Sequence, residues 1–403
     1  MNTDFSWLEW PFFDDSHREM AVELEAWCTA NLQTVDESNV YVACKTLVKK
    51  LGEGGWLRYC VPAGTGGALG GAYEELDSRS LCIARETLAR YHTLADFSFA
   101  MQGLGSGAIS LAGSSEQKAT YLPAVSKGER IAAFALSEPD AGSDVAALHC
   151  SAVEDGDHYV LNGTKTWISN GGLADFYCVF ARTDANAGSR GITAFLVDAS
   201  TPGLIVDEII PVISPHPLAT LKLLNCRIPK SQILGQLNQG FKLAMRTLDI
   251  FRCSVAAAAV GFGKCATEVG IAHALRRKMF GQRLADFQLT QAAFGDIATA
   301  LDQSALLTYR AAWVRDVQKR VPTRETAMAK MAATESAQSI IDRVLQMFGG
   351  KGVVQSSTIE RLYRDIRALR IYEGATEVQK LIISRELIKQ FGERTPSQPG
   401  VKP

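Results

Sequence analysis

The amino-acid sequence predicts a multidomain α+β protein, with an N-terminal all-α domain over residues 1–125, a middle antiparallel β domain over 126–235 and a C-terminal helical bundle over 236–390. Three observations predict it. Apolar residues recur at three- and four-residue steps at both ends of the chain, the pattern changes to that of strands in the middle, and no helical stretch alternates with the strand segments, which argues against a βαβ sheet. Residues 391–403 form a polar, proline-rich tail that is expected to fray.

In the first zone, AVELEAWCTANL, SRSLCIARETLARY and SEQKATYLPAVSKG carry the helical period. The glycine-rich stretches GEGGW and AGTGGALGGAY read as loops that let helices turn; neither has the G-x-G-x-x-G spacing between strand and helix that a phosphate loop needs, and the same holds for GLGSGAISLAG. In the middle zone, HYVLNGTKTWIS places β-branched and aromatic residues around Asn162-Gly163, a dipeptide suited to a tight hairpin because both turn positions need positive φ. ADFYCVFART and GITAFLVDAS add strands. From 236 the helices are long. On FKLAMRTLDIFR, Phe241, Met245, Leu248 and Arg252 share one stripe, so Arg252 either snorkels to water or meets an anionic partner. ALLTYRAAWVRDVQ, AMAKMAATESAQSIIDRVLQMF and VQKLIISRELIKQF are each long enough for a bundle helix.

Composition narrows the function. With 42 Lys and Arg against 43 Asp and Glu, the net charge is -1, which gives no broad attraction toward nucleic acid or anionic membrane. The start, MNTDFSWLEWPFFDD, has neither a basic segment nor a sustained apolar run, so a cytoplasmic location without signal peptide or anchor is the expectation. Nine cysteines without a C-x-x-C pair suit reduced, buried thiols, and the six histidines show no metal-ligand spacing. Within IYEGATEVQ, the carboxylate of Glu373 stands between an aromatic side chain and Gly374, after a segment with arginines at 361, 364, 367 and 370. By itself that pattern fits a solvated turn as well as a catalytic base.

Five segments settle the comparison. FALSEPDAGSD from Phe134, GTKTWISNGG from Gly163, RRKMFGQRLADFQ from Arg276, QMFGGKG from Gln346 and IYEGATEVQ resemble, in order and spacing, the acyl-CoA dehydrogenase family over roughly residues 15 to 390. The resemblance implies an α-domain, a β-barrel and a four-helix bundle, assembled as a homotetramer that binds FAD between barrel, bundle and a neighbouring subunit. Leu136 and Ser137 would meet the flavin ring, Trp167 and Ser169 would cover its other side, and Phe134 and Ile168 would belong to the same cofactor site. Ser143 would lie near both flavin and acyl chain. The partner subunit would contact the ADP half through Arg277, Phe280, Gln288, Gln346, Gly349 and Gly350, with glycines allowing close backbone approach and Arg277 offsetting charge.

Glu373 would then be the catalytic base, removing the α-proton of an acyl-CoA thioester while the β-hydride goes to FAD and an electron-transfer flavoprotein reoxidises it. A desolvated carboxylate suits this task because burial raises its proton affinity toward that of its target. The backbone N–H of Glu373 would face the thioester oxygen, with Gly374 making the turn, and Asp249 and Arg252 would lie near the substrate. Some relatives carry the base where this chain has Phe251, which cannot do acid-base work. Ala375 replaces a frequent threonine, leaving Thr376 and Glu377 to contact FAD. The segment Pro211 to Pro229 departs from the strand pair of many relatives, which keeps an acyl-carrier-protein thioester as the first alternative substrate. A flavin oxidase or monooxygenase would lack the glutamate; a DNA-binding flavoprotein would need the arginine ridge free, and that ridge is expected to form ion pairs with Glu360, Asp365 or a neighbouring subunit.

Overall fold

A computed structural model describes residues 4–355 and 357–394. Five helices come first: α1 (Asp15–Asn31), α2 (Val40–Glu53), α3 (Ser78–Tyr91), α4 (Thr93–Ala112) and α5 (Ser115–Ser126). Eight strands follow: β1 (Ala132–Ala135), β2 (Ser151–Asp155), β3 (His158–Ser169), β4 (Phe176–Arg182), β5 (Ile192–Asp198), β6 (Leu204–Ile209), β7 (Leu218–Pro229) and β8 (Ile233–Leu234). The chain then enters α6 (Gly240–Arg276), a small hairpin of β9 (Lys278–Met279) and β10 (Gln282–Arg283), and the helices α7 (Gln288–Asp316), α8 (Thr323–Phe348), α9 (Thr358–Leu369) and α10 (Thr376–Arg394). Of the expected tail, 391–394 continue α10, and 395–403 lie outside the described residues.

Gly103, Gly105 and Gly107 of GLGSGAISLAG belong to α4, where Gly103 and Gly107 let α6 approach: a Cβ at Gly103 would stand 2.6 Å from the ring of Phe251. Phe251 is thereby packed in the core, far from any acid-base task. Every residue of α6 from 251 to 263 is buried, as suits the central helix of a bundle, here packed on α3, α7 and α8. All nine cysteines are free thiols, eight of them buried.

The middle domain corrects the sequence expectation in two respects. Its strands form an open sheet in the order β6-β7-β3-β2-β4-β5-β8, not a closed barrel, and β1 joins β4 in parallel rather than antiparallel fashion. The sheet stays open because β6 and β8, at the two ends of the order, do not pair with each other; β6 is a largely exposed edge. The second correction concerns Asn162-Gly163. The hairpin between β2 and β3 turns at Gly156, whereas Asn162-Gly163 lies inside β3, at a register shift against β7. Gly163 is required there by close approach: its φ is 151° and an added Cβ would sit 2.7 Å from the Cys150 backbone. Gly163→Ala is therefore expected to destabilise the protein by about 1–3 kcal/mol, read as a lower urea midpoint at unchanged slope; an unchanged midpoint would show that the strand yields.

The departing segment after Ile210 joins sheet to bundle. Ser214 Oγ donates to Asp365 on α9 at 2.7 Å, Arg364 donates to the Ile213 carbonyl at 2.8 Å, and the half-buried ring of His216 packs on Phe97 of α4 at 4.7 Å. Burial pushes the His216 proton affinity down. The arginine ridge is engaged as well: Arg364 binds Glu360 at 2.6 Å, Arg361 pairs with Glu37 at 3.5 Å, and Arg370 reaches Glu335 at 2.8 Å. Three of the four ridge arginines are thus engaged, and Arg367 is exposed.

Candidate active site

The site begins where α9 ends. Its N-terminus is capped by Ser357, and its arginine-rich face points to carboxylates that hold its far end in place. Glu335 of α8 grips both sides of the following turn, accepting from Arg370 Nε at 2.8 Å and from the Thr376 hydroxyl at 2.6 Å. Between those two anchors the backbone is left-handed twice in succession, at Glu373 (φ 52°) and Gly374 (φ 90°). A positive φ at a glutamate is disfavoured by about 1–3 kcal/mol, so the surrounding structure must hold it.

Three buried side chains do so through backbone carbonyls. Arg252 Nε donates to the Glu373 carbonyl at 3.2 Å, while Lys330 Nζ and Gln379 Nε2 each donate to that of Gly374 at 2.8 Å. The cation ending the stripe of α6 has thus met its partners: Arg252 is buried and also donates to Asp249 at 3.0 Å. The other oxygen of Asp249 accepts from Thr323 at 3.3 Å, which commits the carboxylate to bracing Arg252.

None of these groups occupies the Glu373 carboxyl itself. Its Oε2 is sealed from solvent and has no hydrogen-bond partner. Burial raises the proton affinity of Glu373, and the cations Arg85, Lys330 and Arg252 only partly offset it. Arg85 is locked by Asp96 of α4 through two bonds of 2.8 and 2.9 Å and reaches Ser254 of α6, so three helices carry that charge. A raised carboxylate destabilises the fold when ionised; the penalty is absent below the unfolded range near about 4.3 and grows as pH rises through the folded value. Glu373→Gln should therefore melt higher than the wild type at pH 7, by roughly 1–3 °C, and lose that advantage at pH 4. Equal melting at both pH values would mean that Glu373 is not desolvated.

A second group lies on the sheet. Leu136 and Ser137 leave β1, and Glu138 turns inward to bind Lys165 Nζ at 2.7 Å and the backbone N–H groups of His149 and Cys150 at 2.6 and 2.9 Å. Lys165 also donates to the Leu136 carbonyl, and Thr166 N–H to that of Ser137 at 3.0 Å, so the two motifs run side by side. A register shift between Lys165 and Ile168 gives Trp167 a φ of 59° and leaves its ring 57% exposed. The side chain of Ile168 goes into the core, Phe134 packs on Phe180, and Ser137 and Ser169 are half-buried. Ser143 is exposed on the following loop. An aromatic face with polar edges fits a flavin ring.

The remaining predicted residues form a third patch. Arg277, Phe280, Gln288, Gln346, Gly349 and Gly350 are all exposed, Phe280 at 87%, and an added Cβ at either glycine meets open space. Gln346 is sixteen residues beyond Lys330 on α8, roughly 24 Å at 1.5 Å per residue, so this patch does not join Glu373 along that helix. Thr376 is buried with its hydroxyl on Glu335, and Glu377 is exposed. Sequence reasoning missed Lys330, Glu335, Arg85, Asp96 and the Glu138–Lys165 pair. One signal was available: Lys330 stands in register with the buried Thr326, Ala327, Ala333 and Thr334.

Two helical domains flank a sheet, and a carboxylate with one sealed, unpartnered oxygen stands on a clamped turn beside them. The chain matches the N-terminal, middle and C-terminal domain models of acyl-CoA dehydrogenases over residues 14–129, 133–224 and 238–388. It belongs to the acyl-CoA dehydrogenase family, whose members use FAD. It is 40% identical over 347 residues to the short-chain specific acyl-CoA dehydrogenase, mitochondrial, of Rattus norvegicus, covering 85% of this chain and 82% of that protein. With the caffeyl-CoA reductase-Etf complex subunit CarC of Acetobacterium woodii it shares 35% identity over 380 residues, covering 94% and 96%. A glutaryl-CoA dehydrogenase from Mycobacterium smegmatis, solved in complex with FADH2, superposes with a TM-score of 0.85 at 28% identity, covering 94% of this chain and 96% of that one.

Proposed function

We propose that the protein desaturates an acyl-CoA thioester between Cα and Cβ, with Glu373 as the base. The observation that carries this is the sealed, unpartnered Oε2 of Glu373 on a turn whose carbonyls are held by other residues. The free lone pair can take the α-proton, and the fixed backbone lets the Glu373 N–H donate to the thioester oxygen as charge develops there; one such donor is worth about 3 kcal/mol. Gly374 permits the left-handed step that brings both groups to one side. Bound FAD would supply the acceptor for the β-hydride. Trp167, Ser137 and Ser169 would hold its ring and exclude water, with the Leu136 backbone alongside.

The name of the caffeyl-CoA reductase relative couples it to Etf, which supports electron-transfer flavoprotein as the redox partner here. That relative is a reductase, and the same base and hydride geometry serves either direction. We further propose a homotetramer in a cytoplasmic setting, in which the exposed patch of Arg277, Phe280, Gln288, Gln346, Gly349 and Gly350 meets the ADP half of a neighbour's FAD. The test is anaerobic mixing of the yellow protein with straight, branched, cyclic and aromatic acyl-CoA thioesters. Rapid bleaching by at least one, reversed by electron-transfer flavoprotein, is the expected result. Bleaching by dithionite but by none of the thioesters would overturn the proposal.

A further inference from the structure

Lys330 has no surface exposure and stands on the buried face of α8. Such a lysine is expensive to bury unless its charge is used, because its ammonium gives up solvation that one carbonyl cannot replace. Its Nζ donates to the Gly374 carbonyl at 2.8 Å, and among the described residues it forms no ion pair. If holding that carbonyl were its whole task, a neutral donor would serve, and Gln379 already provides one at the same distance. The charge therefore needs another explanation.

That explanation is the neighbouring carboxyl group. Glu373 has no hydrogen-bond partner at Oε2, and Lys330 reaches its turn through the carbonyl of the next residue, Gly374, with no ion pair to the carboxyl. A direct salt bridge would occupy the lone pair that must accept a proton; a cation held on the neighbouring carbonyl stabilises the carboxylate through space and leaves the lone pair free. We infer that Lys330 is a positioning residue for the base, holding the Gly374 carbonyl in the left-handed turn while supplying positive charge to a carboxylate that it does not touch. This rests on the reading of Glu373 as the base.

The groups facing this pair are Arg85 from α3, Asp96 from α4, Arg252 and Asp249 from α6, Glu335 from α8, Tyr372 from the turn and Glu377 from α10. Arg85 and Arg252 are each tied to an aspartate, at 2.8 and 3.0 Å, so Lys330 is the cation in the group without a carboxylate in contact. Burial pushes the Lys330 proton affinity down to about 8, which is the direction expected of an ammonium not neutralised by contact.

The test compares Lys330→Met, Lys330→Gln and Lys330→Arg in the FAD-loaded protein. Removing a cation favours the neutral form of the carboxyl, so a higher pH is needed to ionise the base. In the Met and Gln variants, flavin reduction by butyryl-CoA should slow about tenfold on the acid side, with its acid limb displaced upward by about one pH unit; Arg should restore the limb. A slower rate with an unmoved limb would reduce Lys330 to a structural donor and overturn the inference. A second readout needs no turnover. Glu373→Gln should raise the melting temperature more in a Lys330→Gln background than in the wild type, because the carboxylate has there lost its offsetting charge. Additive shifts would overturn the inference even where the Met variant does not fold. Rapid flavin reduction by Glu373→Gln alone would instead sink the assignment of the base, with the thermal coupling intact.

Discussion

Glu373→Gln is expected to keep yellow FAD bound and to lose substrate-driven bleaching by about 1,000-fold, within the range that a positioned general base contributes. The amide matches the carboxylate in volume but cannot take a proton. It should not disturb the turn, because Arg252, Lys330 and Gln379 hold the carbonyls of residues 373 and 374 and not the side chain. The left-handed backbone is strained for either residue. A loss of rate in a protein that retains its flavin therefore reports chemistry rather than collapse. Nor is a substitute base at hand. Asp96 is locked to Arg85, Asp249 braces Arg252 and Thr323, Glu335 binds Arg370 and Thr376, and Phe251 is apolar. Bleaching within tenfold of the wild type would remove Glu373 from its role.

The contrast between Glu373 and its supports shows what a linear pattern can carry. The proposed base stands out in the sequence because its pattern is local: an aromatic, a glutamate and a glycine in one turn, resembling a family motif in register with four others. Its supports are distant in sequence. Lys330 meets a carbonyl 44 residues away, and Arg252 one that is 121 residues away, so no window of the sequence shows either contact. The helices were readable from their period, as with Ser78–Tyr91. The sheet was harder. Asn162-Gly163 has the composition of a hairpin turn, but packing against Cys150 claimed Gly163 for a bulge, and Gly156 made the turn instead. Closure of a sheet depends on which edges meet, and that is not written in the alternation of any single strand.

The clamped turn also explains why the bundle and the first domain must fold together. Glu373 is backed by α6, α8 and α10 through the carbonyl donors, while its electrostatic surroundings draw on Arg85 and Asp96 from α3 and α4. The sheet is fastened to the same place by Ser214, whose hydroxyl shares Asp365 with that of Thr93. A displacement of α9 would therefore move Glu373, the start of α4 and the loop before β7 as one. That rigidity is what a carboxylate needs if it is to remain buried, strained and without a partner.

Lys165→Met should have the largest effect on stability, about 3–5 kcal/mol, the loss typical when one partner of a buried ion pair is removed. Lys165 is fully buried and Glu138 nearly so, at 2.7 Å. Without the lysine, Glu138 keeps the N–H groups of His149 and Cys150 but carries a charge that nothing neutralises within contact. Replacing both, as Lys165→Met with Glu138→Leu, should recover only part of the loss, because the buried Cys150 N–H then has no acceptor, worth about 1–3 kcal/mol, and the part-buried His149 N–H loses its own. The same change frees the Leu136 carbonyl and loosens the alignment of Ser137 with Trp167, so FAD should be lost on gel filtration under conditions where the wild type retains it. Urea unfolding followed by far-UV circular dichroism gives the first quantity and flavin absorbance gives the second. A loss of less than about 1 kcal/mol would mean that water enters to solvate Glu138, and retained FAD would mean that the Thr166 N–H bond to the Ser137 carbonyl suffices to hold the two motifs in line.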